Sequence, residues 1–126
     1  MLFISFNKLP NTKAWKLTSE LVRRQSQGIC YTCNGRFEFE KLVAGHLIEK
    51  RGNVAIYFNL NGLRAQCMRC NRILHGAKDI YALKLIKEIG IEKVNELYII
   101  AQKSKVWTKE ELNDIVKERE SIIAQL

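Results

Sequence analysis

Two cysteine pairs are the residues whose types and spacing most directly imply chemistry. Cys30 and Cys33 bracket Tyr-Thr, and Cys67 and Cys70 bracket Met-Arg. Each C-x-x-C lets two thiolates reach one ion from a tight turn, and four thiolates complete a closed tetrahedral site. Soft thiolates suit Zn²⁺ better than Mg²⁺. A redox dithiol would call for a thioredoxin-like βαβ pattern, which is missing, and an Fe–S cluster is the other competing reading. A closed tetrathiolate site leaves no position for substrate, so its role is to fasten the chain.

The second pair runs directly into "CNRILHG", residues 70–76. Asn71 and His75 are four apart, so on a helix they share one face. The 33 residues between the two pairs exceed the spacing of a small zinc ribbon and contain His46. A zinc that draws the helix start at Cys70 to the base of a hairpin would bring His46 opposite Asn71 and His75.

The elements that must position these groups follow from periodicity and punctuation. Thr12 is expected to cap a helix from Lys13 to about Gln27, with Gly28 closing it. "KLVAGHLI" and "NVAIYF" read as two antiparallel strands around a turn at "EKRG". "CNRIL" begins a helix. Asp79 caps the next, "IYALKLIKEI", which stops at Gly90, and a further helix runs from about Ile91 to Gln102. Thr108 and Glu111 form a capping box, with Trp107 and Leu112 as its hydrophobic staple. From Leu112, an apolar stripe continues through Ile115, Val116, Arg119, Ile122, Ile123 and Leu126. That stripe suits docking onto the domain or, alternatively, a dimer seam. The start "MLFISFNKLP" fits an edge strand or a mobile arm.

The chain has 126 residues, of which 47% are hydrophobic, so one domain with a modest core is expected and a metal staple would help it. Its segments are 1–29, an N-terminal arm and helix; 30–78, the zinc-stapled core; and 79–126, a helical extension. The net charge is +8, and its distribution is uneven. Residues 1–29 carry five basic side chains against one acidic, residues 30–78 eight against three, and residues 79–126 eight against nine. The surplus therefore sits with the cysteines and both histidines, which favours a polyanion such as DNA as partner. No run approaches the ~20 apolar residues of a membrane span. No secretion pattern precedes the cysteines, so a cytoplasmic location is expected. No helix-turn-helix pattern points to a duplex-reading regulator.

Taken together, "CYTC…AGHLIEKRG…FNLNGLRAQCMRCN…HG" resembles the HNH (ββα-metal) nucleases, and most closely the NinG/Rap recombination proteins of lambdoid phages. The matching residues are Cys30, Cys33, Ala44-Gly45-His46, Gln66-Cys67, Cys70-Asn71, Gly76 and Tyr81. The likeness continues through "YALKLIKEIGIEKVNEL" and "WTKEELNDI", covering roughly residues 13–126. It implies an α+β fold: a zinc-stapled, treble-clef-like ββα-metal core with an N-terminal helix and a C-terminal helical extension. It also implies an endonuclease acting on branched DNA such as Holliday junctions or D-loops, in the host cytoplasm if the chain is phage-encoded.

By that resemblance His46 is the general base and Asn71 a ligand of a catalytic Mg²⁺ or Mn²⁺. His75 stands where the family usually has serine and is either a second ligand or a solvated residue. The resemblance places the middle HNH asparagine at Gly62, with Asn61 one position earlier able to serve. Many HNH enzymes carry an aspartate where Gly45 stands, and Ala77 replaces the family's asparagine. Glu38, Glu40 or Glu49 are candidates for the missing carboxylate. Lys50, Arg51, Arg64, Arg69 and Arg72 are the expected phosphate contacts, and resolution of a two-fold junction would favour a homodimer. The alternative is a non-catalytic zinc-binding adaptor for DNA on the same scaffold.

Overall fold

A computed structural model describes residues 2–126. Thr12 opens the first long helix, α1 (Lys13–Gln25): its hydroxyl accepts from the Trp15 amide at 3.2 Å. The helix stops two residues earlier than expected, and Gln27 and Gly28 take the left-handed turn at φ +54° and +85°. Ala14, Thr18, Leu21 and Val22 form its buried side.

Strand β2 (Leu42–His46) pairs antiparallel with β3 (Leu63–Cys67), in the register Leu42↔Cys67 to His46↔Leu63. The partner of β2 is thus "LRAQC" and not the expected "NVAIYF", where Val54–Ile56 is instead a 3₁₀ turn. The physical reason is burial. Ile56, Tyr57 and Phe58 are consecutive and all buried, filling a core from several sides. A half-buried strand would alternate. Pairing through "LRAQC" also sets Cys67 at the end of a ladder, beside the turn holding Cys30.

The expected helix at "CNRIL" is a single π turn, Arg69–Ile73. It ends in three successive left-handed residues, His75, Gly76 and Ala77, at φ +52°, +87° and +46°. Helix α2 (Lys78–Ile89) therefore starts from Ala77 as its N-cap, with Asp79 in its first turn and not at its cap. A left-handed alanine is strained by contact of its Cβ with the backbone, a cost glycine avoids. Ala77→Gly is expected to raise stability by about 0.5–1 kcal/mol in denaturant melts, after allowing for the entropy glycine adds to the unfolded chain. Gly90, at φ +94°, turns the chain into α3 (Ile91–Ala101), whose Val94, Leu97 and Ala101 are buried.

The N-terminal segment forms an edge strand: β1 (Phe3–Ile4) pairs antiparallel with β4 (Trp107–Thr108). Helix α4 (Lys109–Ala124) follows, and both halves of the capping box are made. The Thr108 hydroxyl accepts from the Glu111 amide at 3.2 Å, and Glu111 Oε1 accepts from the Thr108 amide at 3.0 Å. The apolar stripe docks onto the chain itself, with Leu112, Ile115 and Val116 packing against Leu9, Ala14, Tyr57 and Phe58. Its far end, Leu126, is exposed.

Arg119 lies buried within that stripe. Its Nε donates to Thr18 Oγ1 at 3.1 Å and its Nη2 to the Phe58 carbonyl at 2.6 Å, joining α4, α1 and the loop behind His46. Charge-assisted hydrogen bonds contribute about 1.5–3 kcal/mol each when buried. Arg119→Met keeps much of the volume and is expected to cost about 2–4 kcal/mol in a denaturant titration.

Candidate functional site

The cysteine turn and the end of the β2–β3 ladder meet. The sulfurs of Cys30, Cys33, Cys67 and Cys70 all lie within 4.8 Å of one another, and Cys33 and Cys67 are 3.9 Å apart. Four sulfurs held ~2.3 Å from a central Zn²⁺ would sit about 3.8 Å apart along each tetrahedral edge, so the spacing fits that ion. Amide groups brace the sulfurs: Cys67 N–H points to Cys30 Sγ at 3.3 Å, Cys70 N–H to Cys67 Sγ at 3.4 Å, and Gly35 N–H to Cys33 Sγ at 3.4 Å. Asn34, at φ +62°, takes the left-handed position of the first turn.

The four thiols differ in their surroundings. Burial pushes the Cys30 thiol up, but amide donors from Cys67 and Cys33 and the Thr32 hydroxyl outweigh it and bring it down to about 6. Burial, reinforced by neighbouring Cys67 and Cys30, pushes Cys70 up to about 12. The four cysteines could hold a metal ion such as zinc.

Across the ladder from this knuckle, His46, Asn71 and His75 line one half-open cavity of about 250 Å³, together with Ala44, Glu49, Lys50, Gly76 and Lys78. The last residue of β2, His46, is 8% exposed. Its ring stacks on the Trp15 indole at 5.2 Å and 13°, and its Nε2 is 2.9 Å from the Tyr57 carbonyl. A carbonyl only accepts, so Nε2 carries the proton and Nδ1 keeps a lone pair. Burial, aided by Lys50 and Lys78, lowers the His46 pKa to about 4, against the pull of the Tyr57 carbonyl. The ring is therefore neutral at pH 7. Tyr81 steadies the strand end by donating its hydroxyl to the Gly45 carbonyl at 2.8 Å.

Asn71 is half-buried in the π turn, and its Nδ2 donates to Gln66 Oε1 at 3.3 Å. His75 is exposed at the cavity rim, placed there by its left-handed backbone. Glu49 is the only carboxylate of Glu38, Glu40 and Glu49 that lines the cavity. Asn61 is not brought to it. That residue is exposed and borders two depressions elsewhere, one with Arg119 and one with Arg64.

The expected phosphate contacts separate in the same way. Lys50 lines the cavity, its ammonium 5.7 Å from the Trp15 ring centre, and Arg51 lies over Phe6 at 5.4 Å. Arg69 and Arg72 project from the π turn, exposed. Arg64 is already engaged: it pairs with Glu88 at 3.1 Å and donates to the Leu60 and Leu63 carbonyls.

Three contributors were given no role at the site by the sequence reading. Lys78 reaches back from α2 to donate to the His46 carbonyl inside the cavity, and burial lowers its pKa. Trp15 supplies the face on which His46 lies. Gln66, fully buried, spans the space between the knuckle and Asn71. Only Gln66 had a signal in the sequence, standing beside Cys67 in the quoted Gln66-Cys67 pair. Lys78 and Trp15 reach the site through packing.

No helix among the described residues is long and apolar enough to cross a membrane. No match to the chain was found among curated proteins or among solved structures. A family model described as Bacteriophage Lambda NinG protein does match, over residues 8–126, a span that takes in the knuckle, the cavity and helices α1 to α4. With nearly its whole length so matched, the chain belongs to the bacteriophage lambda NinG protein family.

Proposed function

We propose that this protein is a metal-dependent, structure-selective DNA endonuclease built on a zinc-stapled ββα-metal core of the HNH type. In this reading it cuts phosphodiesters in branched recombination intermediates such as Holliday junctions and D-loops. The observation that carries the proposal is the shared cavity: a neutral imidazole, an amide, a second imidazole and two ammonium groups converge on one space.

The residues fit a hard divalent ion, because Asn71, His75 and Glu49 offer oxygen and nitrogen donors at the cavity. They would hold one Mg²⁺ or Mn²⁺, which when bound neutralises charge building on the phosphate and the leaving oxygen. His46 takes a proton from water on Nδ1. The water oxygen bonds to phosphorus, and the bond from phosphorus to the 3′-oxygen breaks. The 3′-oxygen gains a proton from solvent, leaving a 5′-phosphate and a 3′-hydroxyl. Trp15 and the Tyr57 carbonyl hold the ring in the tautomer that leaves the Nδ1 lone pair free. Lys50 and Lys78 hold the non-bridging oxygens of the phosphate being cut. Arg51, Arg69 and Arg72 grip flanking phosphates, a term expected to weaken steeply with salt.

The rival reading is a zinc-binding DNA adaptor that does not cut. It draws support from a single carboxylate at the cavity and from the ammonium of Lys78 within it. A cleavage assay decides between them. The zinc-loaded protein is incubated with four-way, single-stranded and linear duplex DNA, with and without Mg²⁺ or Mn²⁺. Divalent-dependent nicking that favours the branched DNA supports the nuclease. Tight binding of the junction without cutting in either ion would establish the adaptor.

A further inference from the structure

We infer that Gln66 is a positioning residue: it clamps the Asn71 amide so that Oδ1, and not the NH₂ group, faces the cavity. This deepens the nuclease reading and rests on it for the role of that oxygen as a metal ligand.

The orientation follows from a chain of donors and acceptors. Gln66 Nε2 is 2.8 Å from the Gly76 carbonyl, which can only accept. That contact fixes which end of the Gln66 amide is nitrogen. Nε2 also donates to Thr32 Oγ1 at 3.1 Å, leaving the Thr32 hydroxyl proton for Cys30 Sγ at 3.6 Å. Gln66 Oε1 then points the other way and needs a donor, which Asn71 Nδ2 supplies at 3.3 Å. With its nitrogen so engaged, Asn71 presents its oxygen. A carbonyl oxygen suits a hard cation, whereas an NH₂ group repels one.

The seat for Gln66 is built by what is absent beside it. A Cβ on Gly45 would lie 2.0 Å from Gln66 Oε1 and 3.1 Å from Asn71 Nδ2. No side chain at position 45 can therefore coexist with Gln66 in this seat. The knuckle, Thr32, Gln66 and Asn71 form one connected path, so the geometry of the cysteine site is passed to the cavity through hydrogen bonds. Groups that orient metal ligands typically contribute 10–100-fold to metal affinity or activity.

The test uses the zinc-loaded full chain labelled with ¹⁵N. In the parent, the Asn71 side-chain amide, identified by its loss in Asn71→Ala, is expected to exchange slowly with solvent. In Gln66→Met that protection should vanish, and Mn²⁺ affinity measured by water-proton relaxation should fall 10-fold or more. In an Asn71→Ala background, Gln66→Met should change Mn²⁺ affinity no further. A Gln66 that only supports the fold would lower the melting temperature and leave Mn²⁺ affinity intact. Should Gln66→Met fail to fold, Gly45→Ala displaces the amide without deleting it and should produce the same two losses. An Asn71 amide indifferent to both variants would overturn the inference, whatever the protein does to DNA. A protected amide in a parent that binds no Mn²⁺ would sustain the orientation and sink the nuclease reading.

Discussion

Replacing His46 with alanine is expected to abolish divalent-dependent nicking of a four-way junction, lowering the rate by about 10²–10⁴-fold, the usual contribution of a positioned general base. Zinc content should stay at the parent level, since His46 is not one of the cysteine ligands. The alanine variant also loses the stack on Trp15, so a companion separates chemistry from packing. His46→Gln keeps volume and can still donate to the Tyr57 carbonyl, yet offers no basic nitrogen. It should melt closer to the parent than alanine does and cut no better. Cleavage by His46→Gln at the parental rate would remove the imidazole from the mechanism.

The same histidine has a signature in pH. Its folded pKa of about 4 lies below the value of about 6.5 for an unperturbed histidine. Above pH 6.5 the ring is neutral in both states and contributes nothing to the pH dependence. Between pH 6.5 and 4 the unfolded chain gains a proton that the folded chain refuses, so stability falls with acid, by at most about 1.4 kcal/mol per pH unit. His46→Gln lacks that loss. The stability gap between parent and variant should therefore shrink as pH drops from 7 to 5, measured by denaturant melts at each pH.

Cys67→Ser is expected to release the zinc and unfold most of the chain at room temperature. Structural zinc in small domains contributes about 10–16 kcal/mol of apparent binding energy. Whole domains are stable by only about 5–15 kcal/mol. The substitution removes the sulfur that accepts from the Cys70 amide at 3.4 Å and lies 3.9 Å from Cys33 Sγ, one of the four that could hold the ion. Zinc per chain measured by mass spectrometry should fall from one toward zero, and the cooperative melt should vanish or move down sharply. Acid should mimic the substitution in the parent, because thiols must lose protons to ligate. A Cys67→Ser protein that melts like the parent would rule out a structural zinc.

How much of this was legible depends on how local each cause is. Thr12 and the Thr108–Glu111 box act within three residues, so both caps are where the sequence puts them. The cysteine pairs were legible because a tight turn fixes two ligands for each pair. The second strand was not. "NVAIYF" and "LRAQC" are both short and partly apolar, and a short apolar run carries no periodic signature separating a strand from a buried turn. The knuckle settled the choice by tying Cys67 to Cys30, and the displaced aromatics became core. The π turn was equally hidden: "CNRIL" looks helical, but the turn ends in left-handed residues that carry the Gly76 carbonyl to Gln66, a contact ten positions back in the chain.

By itself, then, the sequence determined the chemistry available: four thiolates spaced for one ion, a basic first half, and a histidine, an asparagine and a second histidine near the cysteines. Tertiary structure alone decided which of those groups share a space. It gathered His46, Asn71, His75, Glu49, Lys50 and Lys78 around one cavity, turned Arg64 into a partner of Glu88, and left Asn61 outside. The reason is that residue types are a property of each position, whereas convergence depends on ladder register and on buried hydrogen bonds. Those contacts join residues tens of positions apart, and no local pattern encodes them.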